Sequence, residues 1–194
     1  MKGSRPLEDQ EITKVIESLE ADAYFLRNKA LLLLGIRSGF RISELLSIRV
    51  KDVVQNGNFV DRISVARQYM KKKREGRTVI LHPEAAEALK AWVSELAKKF
   101  EDPETFVFRS RQGGNRAIDR RTAWKTLTEA YEKCGLTGKL GTHCMRKTFA
   151  KRIYNKLERD LIKTQKAMGH ASVNSTVSYL SFADEEVDEA ILKS

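Results

Sequence analysis

The sequence predicts an α+β fold, a mainly α-helical domain with one small antiparallel β-sheet. Apolar residues recur at helical spacing over most of the chain, beginning with residues 7–19. An Asn56-Gly57 pair between two apolar pairs is a strong β-hairpin signal. The 194 residues, of which 41% are hydrophobic, suffice for one domain with its own core. We therefore expect a single domain over residues 1–194.

The first part of the chain predicts three helices that meet at a corner. The second of them is almost wholly apolar over residues 30–36, which predicts burial on most of its sides. Ser38-Gly39 then breaks the helix. We therefore expect Arg41 at a helix-to-helix corner that aims its side chain into a cleft. The predicted helices are 7–19, 23–38 and 42–48.

The segment from residue 50 to residue 81 predicts the small sheet. Its first hairpin turns at Asn56-Gly57, and two further strands are expected at 63–65 and 78–81. Between those two strands lies a basic turn at 70–77, which would hold its lysines at the tip of the sheet.

The remainder of the chain predicts further helices. Pro83 opens the first of them at a favoured early position. On the next helix, Trp124, Leu127 and Tyr131 are expected to share one face. The predicted helices are 83–99, 118–134, 144–157, 161–168, 174–180 and 184–192, with a short extended piece at 106–108.

The excess of basic residues indicates which kind of molecule the protein binds. The net charge of +10 and the pI of about 9.6 favour a polyanion, and nucleic acid is preferred to a membrane because no amphipathic helix gathers the basic residues. The longest apolar run is too short to cross a bilayer, and the N-terminus carries no secretory signal. We expect a cytoplasmic protein, either nucleoid-associated or in a host cytoplasm.

The two cysteines predict neither a disulfide framework nor a zinc site. Cys134 and Cys144 form no CxxC pair, and no His/Cys cluster has zinc-ligand spacing, which suits a reducing compartment. Cys144 could act as a catalytic thiol, but a small buried helix residue is the favoured interpretation. No metal and no cofactor are expected.

The stretch 141–181 suits a tyrosine hydroxyl that attacks a phosphodiester without a metal. A tyrosine with a pKa of about 10 is ionised in roughly one molecule in a thousand at pH 7, a deficit of about 4 kcal/mol that nearby cations reduce. Two arginines, Arg41 and Arg146, can neutralise the phosphate, because the guanidinium fork matches two phosphate oxygens. A lysine or histidine can supply the proton that the leaving oxygen needs.

These residues resemble the tyrosine recombinases, the phage integrase family. The matching elements occur in the family's order and span nearly the whole chain. They are the box around Arg41, the basic turn before Arg77, the HxxR motif from His143 to Arg146, the Gly169-His170 element, and Tyr179 nine residues after that histidine.

The resemblance implies a DNA integration and recombination enzyme of a phage or other mobile element, and it implies a role for each site residue. Tyr179 would attack the scissile phosphate and form a covalent 3′-phosphotyrosine intermediate, while Arg41 and Arg146 hold the phosphate. His143 would assist proton transfer, and His170 would hydrogen-bond the phosphate. A 5′-hydroxyl then attacks the intermediate, so no ATP is needed.

The resemblance also implies a catalytic lysine on the β-hairpin. Lys71, Lys72 and Lys73 all stand in the basic turn, and counting back five from Arg77 favours Lys72. The neighbouring basic residues are expected to contact DNA. These predicted DNA contacts are Lys71, Lys73, Arg74, Arg77 and Lys147.

Members of this family work as tetramers on two paired DNA duplexes, so a homo-tetramer on DNA and a monomer off it are expected. The acidic tail helix at 182–194 would dock on a neighbouring protomer. The family's usual N-terminal DNA-clamping domain has no counterpart here, as in an excised fragment or a short inversion-type member. The alternatives are a catalytically silent DNA-binding regulator of the same fold and a type IB topoisomerase-like enzyme.

Overall fold

The computed structural model describes residues 4–65, 76–180 and 191–192. The chain folds as two compact units, Met1–Phe149 and Ala150–Ser194. The expectation of a single domain stays a prediction, and so does the tail helix, of which only Ile191 and Leu192 lie within the described residues. No helix in the described part of the chain is long and apolar enough to span a membrane.

The first unit is mainly helical, as predicted, with antiparallel strand pairs. Its described elements are α1 (Asp9–Leu19), α2 (Phe25–Ser38), α3 (Ile42–Leu45), α4 (Val50–Val53), β1 (Val54–Gln55), β2 (Asn58–Phe59), β3 (Arg62–Val65), β4 (Arg77–Ile80), α5 (Pro83–Ala97), α6 (Arg120–Lys133) and α7 (Thr142–Lys156), which continues into the second unit.

Helix α2 is the centre of the first unit. Its residues from Ala30 to Leu34 are all 1% exposed or less, because the helix packs along α5 and also contacts α1, α3 and α6. The prediction that this helix is buried on most sides is therefore confirmed. The burial fixes its C-terminus, where the chain turns at Gly39 in the left-handed conformation, with φ of 62°.

The strands form two separate pairs in the described residues, where one sheet was predicted. β1 pairs with β2 across Asn56 and Gly57, which have φ of 51° and 77°, so the predicted hairpin turn is confirmed. β3 pairs with β4 in a register that places Val65 opposite Arg77. The predicted extended piece at 106–108 forms only an isolated bridge, from Phe106 to Arg49.

One predicted face of α6 is wrong in part. Leu127 and Tyr131 are buried as predicted, but Trp124 is 49% exposed. The buried stripe also includes Ala123 and Ala130, and Trp124 lies about 100° round the helix from Ala123, at the edge of that stripe. Cys144, by contrast, is completely buried in α7, in agreement with its interpretation as a core residue.

The second unit contains the end of α7, helix α8 (Leu161–Met168) and helix α9 (Val173–Leu180). Asp160 caps α8 by accepting hydrogen bonds from the main-chain nitrogens of Ile162 and Lys163, both at 2.9 Å. Gly169 ends the helix in the left-handed conformation, with φ of 61°. This turn delivers His170 between α8 and α9, which pack together.

Candidate active site

A fully buried carboxylate holds Arg41 at the corner between α2 and α3. Arg41 is the N-cap of α3, and its main-chain nitrogen donates to Glu44 Oε2 at 2.7 Å. Its guanidinium donates to the other oxygen of Glu44 at 2.9 Å. The Glu44 side chain is 0% exposed, whereas that of Arg41 is 34% exposed. The two hydrogen bonds to Glu44 therefore hold Arg41 in place and leave part of its side chain accessible to solvent.

Arg146 reaches the same corner from α7. Its side chain is 1% exposed, and Nη1 donates to the carbonyl of Gly39. Gly39 cannot be replaced without cost here, because a Cβ at this position would overlap the ring of Phe149 and because φ is positive. The left-handed glycine thus lets α2 end close against α7, which brings Arg146 to the turn that precedes Arg41.

Arg77 lies inside the protein at the start of β4. It is 7% exposed, and its guanidinium donates to the carbonyls of Gly39 at 3.2 Å and Ser38 at 2.9 Å, 5.1 Å from the ring centre of Phe40. Burial, followed by the charge of Arg146, lowers the pKa of Arg77 to about 10. The predicted role of Arg77 as a DNA contact disagrees with this burial, because both terminal nitrogens face the end of α2.

His143 stands among these cations at the start of α7. Partial burial lowers the pKa of the His143 imidazole, and the charges of Arg146, Arg41 and Lys147 lower it further. The ring is consequently neutral at pH 7 and able to accept or relay a proton. Lys147, another predicted DNA contact, is only 8% exposed, and burial lowers the pKa of its ammonium group.

In the second unit, His170 and Tyr179 pack against each other. Their ring centres are 5.2 Å apart, and the His170 side chain is buried. Nδ1 of His170 shares a hydrogen bond of 3.0 Å with the hydroxyl of Thr176, which is completely buried. The main chain of His170 is fixed too, because it donates to the Gln165 carbonyl at 3.1 Å and accepts from the Gln165 side chain at 3.2 Å.

The first unit therefore gathers Arg41, His143 and Arg146, and the second gathers His170 and Tyr179. Lys71, Lys72, Lys73 and Arg74 lie outside the described residues. Sequence reasoning missed Thr176 as a partner of His170. A signal was available, because Thr176 precedes Tyr179 by one helical turn and so shares its face.

Known proteins resemble this chain over nearly its whole length. A family model described as the phage integrase family matches residues 5–186. A probable integrase/recombinase of Bacillus subtilis, YoeC, is 33% identical over 183 residues, which cover 92% of each chain. The tyrosine recombinase XerA of Pyrococcus furiosus is 26% identical over 96% of this chain.

Solved structures of recombinases share this fold. The XerA crystal structure matches with a TM-score of 0.77 at 23% identity, over 99% of this chain and 66% of that one. The XerH site-specific recombinase, in a pre-cleavage complex with its difH substrate, matches with a TM-score of 0.73 at 28% identity, over 96% of this chain and 53% of that one. The chain spans 60% of the XerA sequence of P. furiosus.

The match with the family model covers most of the chain, including both arginines of the corner, both histidines and the late tyrosine. YoeC, the relative at 33% identity, is covered over nearly its full length. The chain therefore belongs to the phage integrase family and carries the catalytic domain of a tyrosine-type site-specific recombinase.

Proposed function

We propose that this chain cleaves and rejoins double-stranded DNA at specific sites through a covalent bond between Tyr179 and a 3′-phosphate. The observation that carries the proposal is the convergence of Arg41 and Arg146 on one corner, next to a neutral His143. Fixed cations suit an anion whose charge shifts during reaction, and a phosphodiester is such an anion.

Arg41 and Arg146 act as the phosphate clamp. Both side chains are oriented before DNA binds, Arg41 by Glu44 and Arg146 by the Gly39 carbonyl. Preorganised guanidinium groups need no rearrangement when negative charge develops on the phosphate, and each such donor is typically worth several kcal/mol. The clamp thus takes the place that a metal ion has in other phosphoryl-transfer enzymes.

The chemical step exchanges one phosphoester for another. The Tyr179 oxygen attacks phosphorus, its proton passes to water or to His143 as base, and the bond from phosphorus to the 5′-oxygen breaks. That oxygen takes a proton from a hairpin lysine, for which Lys72 is the first candidate and Lys71 and Lys73 are the alternatives. Rejoining reverses these transfers with a 5′-hydroxyl as nucleophile, so the bond energy is kept and no cofactor is needed.

His170 assists at the phosphate. If the Thr176 hydroxyl donates to Nδ1, the ring carries its hydrogen on Nε2, which can then donate to a phosphate oxygen. His143, whose pKa is lowered, relays a proton between groups near the clamp.

Assembly on DNA belongs to the same proposal. A net charge of +10 supports binding to the DNA backbone, and the affinity should fall steeply with salt because phosphate contacts release counterions. A tetramer on two paired sites would allow strand exchange, with the acidic tail 182–194 docking on a neighbouring protomer. Lys71, Lys73 and Arg74, which lie outside the described residues, stay proposed DNA contacts.

Covalent capture on nicked DNA tests the function. A library of labelled duplexes with randomised arms carries a nick close to each possible cleavage position, so that the released 5′-hydroxyl strand diffuses away and the covalent complex accumulates. A denaturant-resistant protein–DNA adduct is expected, and sequencing the captured DNA gives the site. The Tyr179→Phe variant is the matched control, since it lacks only the attacking oxygen.

Two outcomes would contradict the proposal. Tight DNA binding without an adduct from the intact chain would identify a silent regulator. An adduct accompanied by relaxation of supercoiled DNA with no preferred site, and by no joining between two duplexes, would identify a topoisomerase-like enzyme.

A further inference from the structure

We propose that Arg77 is a positioning residue for the phosphate clamp, holding the end of α2 so that Arg41 points at the scissile phosphate. The inference rests on the proposed function and extends it to a residue outside the phosphate-binding pair. Its basis is the contact between β4 and the corner that carries Arg41.

The contact consists of two hydrogen bonds from one guanidinium group. Nη2 of Arg77 donates to the Ser38 carbonyl at 2.9 Å, and Nη1 donates to the Gly39 carbonyl at 3.2 Å. These are consecutive carbonyls at the C-terminus of α2, where the helix leaves its last acceptors without intrahelical donors. A cation is also favoured there by the helix dipole. Arg77 therefore caps α2 from the neighbouring β-strand.

The capped turn leads directly to the clamp. Gly39 also accepts from Arg146, so one carbonyl links the guanidinium of the strand to that of α7. Arg41 follows two residues later, and its own orientation depends on where α3 begins. Any shift of the Ser38–Gly39 turn would carry Arg41 with it and loosen Arg146 at the same time.

Burial and two neighbouring arginines make the protonated form of Arg77 less stable than it would be in water. The side chain is 7% exposed, and the nearby charges of Arg146 and Arg41 oppose its protonation, while only Glu44 favours it among the residues that affect its pKa most. A buried cation in such a place is expected where its geometry is needed. The planar fork satisfies two acceptors at fixed spacing, which the single nitrogen of a lysine cannot reproduce.

The strand that holds the corner is also the strand that follows the basic turn. β4 begins at Arg77, whose partner in the register is Val65 of β3. Arg77 thus connects the Val65–Arg77 end of the β3–β4 pair to the turn that precedes Arg41. Loss of Arg77 can slow cleavage through the clamp or through the proposed lysine, and the test has to separate these two routes.

Single-turnover cleavage of captured site DNA provides that test. Arg77→Met removes the charge, and Arg77→Lys keeps the charge but loses the fork. We expect both variants to lower the cleavage rate constant at saturating DNA, Arg77→Met by about 10- to 100-fold, because small misplacements of catalytic groups have effects of this size. The DNA dissociation constant should hardly change. A rate constant is unaffected by an unfolded fraction, which lowers only the amplitude.

Arg62→Met is the matched control. Arg62 lies on β3, in the same strand pair, and is exposed, so its loss removes an arginine of the hairpin without touching the corner. Its cleavage rate constant should equal that of the unaltered chain. Equal losses of rate in the Arg62→Met and Arg77→Met variants would overturn the inference.

A substrate with sulfur at the 5′-bridging position separates the clamp from the lysine. A thiolate leaves without a proton, so this substrate restores a variant that lacks only the acid, such as Lys72→Ala, or the corresponding change at Lys71 or Lys73. Arg77→Met should stay slow on the sulfur substrate, because its defect is in phosphate binding at the transition state.

Each result has one meaning. Recovery of Arg77→Met by sulfur would place its effect on the lysine and overturn the inference, and a weakened dissociation constant with an unchanged rate would make Arg77 a DNA contact. An adduct from the intact chain, together with a normal rate for Arg77→Met, would overturn the inference alone. No adduct from the intact chain would overturn both this inference and the proposed function.

Discussion

The arginine corner of the first unit and the α8–α9 pair of the second unit prepare their site residues in different ways. At the corner, Glu44, Arg77 and Arg146 are all buried around the Gly39 turn. On α9, Thr176 is the buried residue, and Tyr179 is partly exposed. The proposed phosphate-binding groups are thus fixed by dense polar packing, whereas Tyr179, the proposed nucleophile, is carried on a short helix whose orientation depends on few buried groups.

The difference in burial suits the two proposed tasks, which are holding the phosphate and attacking it. A clamp stabilises developing charge best when its dipoles and charges are fixed beforehand. A nucleophile that forms and then breaks a covalent bond with DNA has to be presented and later released. Substitutions in both regions should therefore slow or abolish cleavage, to an extent that depends on the group removed.

The largest effect is expected from Tyr179→Phe. The change removes the attacking oxygen, so adduct formation should be abolished while DNA affinity stays close to that of the unaltered chain. Denaturing electrophoresis of labelled nicked DNA measures the adduct, and a binding titration at fixed salt measures the affinity. Residual adduct in this variant would mean that another nucleophile acts.

The next largest effect is expected from Arg41→Ala, which removes half of the clamp. The cleavage rate constant should fall by about 10²- to 10³-fold, the typical cost of losing one preorganised donor to the transition state. The dissociation constant should change far less, since one phosphate contact among many is lost. Single-turnover kinetics at saturating DNA separate the two quantities. A near-normal rate would show that Arg41 is only the ion-pair partner of Glu44.

Gly39→Ala tests the packing that makes the corner possible. The new Cβ would overlap Phe149 and would be held at a positive φ, so we expect a loss in the free energy of unfolding above the roughly 1–2 kcal/mol that left-handed backbone costs alone. Gly57→Ala is the matched control, because Gly57 has φ of 77° and no atom near the added Cβ. Denaturant titrations of both variants give the comparison. Equal losses would mean that contact with Phe149 is unimportant.

Much of this arrangement could be predicted from the sequence because the signals are local. The break at Ser38-Gly39, the hairpin at Asn56-Gly57 and the three-residue spacing of His143 and Arg146 each depend on a few neighbouring residues. The helices around them were therefore predicted to within a few residues of their observed bounds.

The burial of Arg77 could not be predicted, because it depends on a contact between residues 38 positions apart. Charge patterning assigned Arg77 to the basic turn with its lysine neighbours. Only the packing of β4 against the end of α2 shows that the side chain points inward. Trp124 gave the opposite error, since its spacing suggested a core face while the actual buried stripe follows Ala123 and Leu127.

The smallest effect is expected from Thr176→Val, which tests the second unit. The variant keeps the shape of the side chain but loses the hydroxyl that binds Nδ1 of His170, so we expect a loss in stability of about 1 kcal/mol. Cleavage should slow and its pH profile should shift, because neither the tautomer nor the orientation of His170 is then fixed. Thr176→Ser retains the hydroxyl and should keep both the rate and the profile. If Thr176→Val cleaves like the unaltered chain at every pH, the hydrogen bond serves folding alone, and the positioning of groups before reaction is confined to the arginine corner.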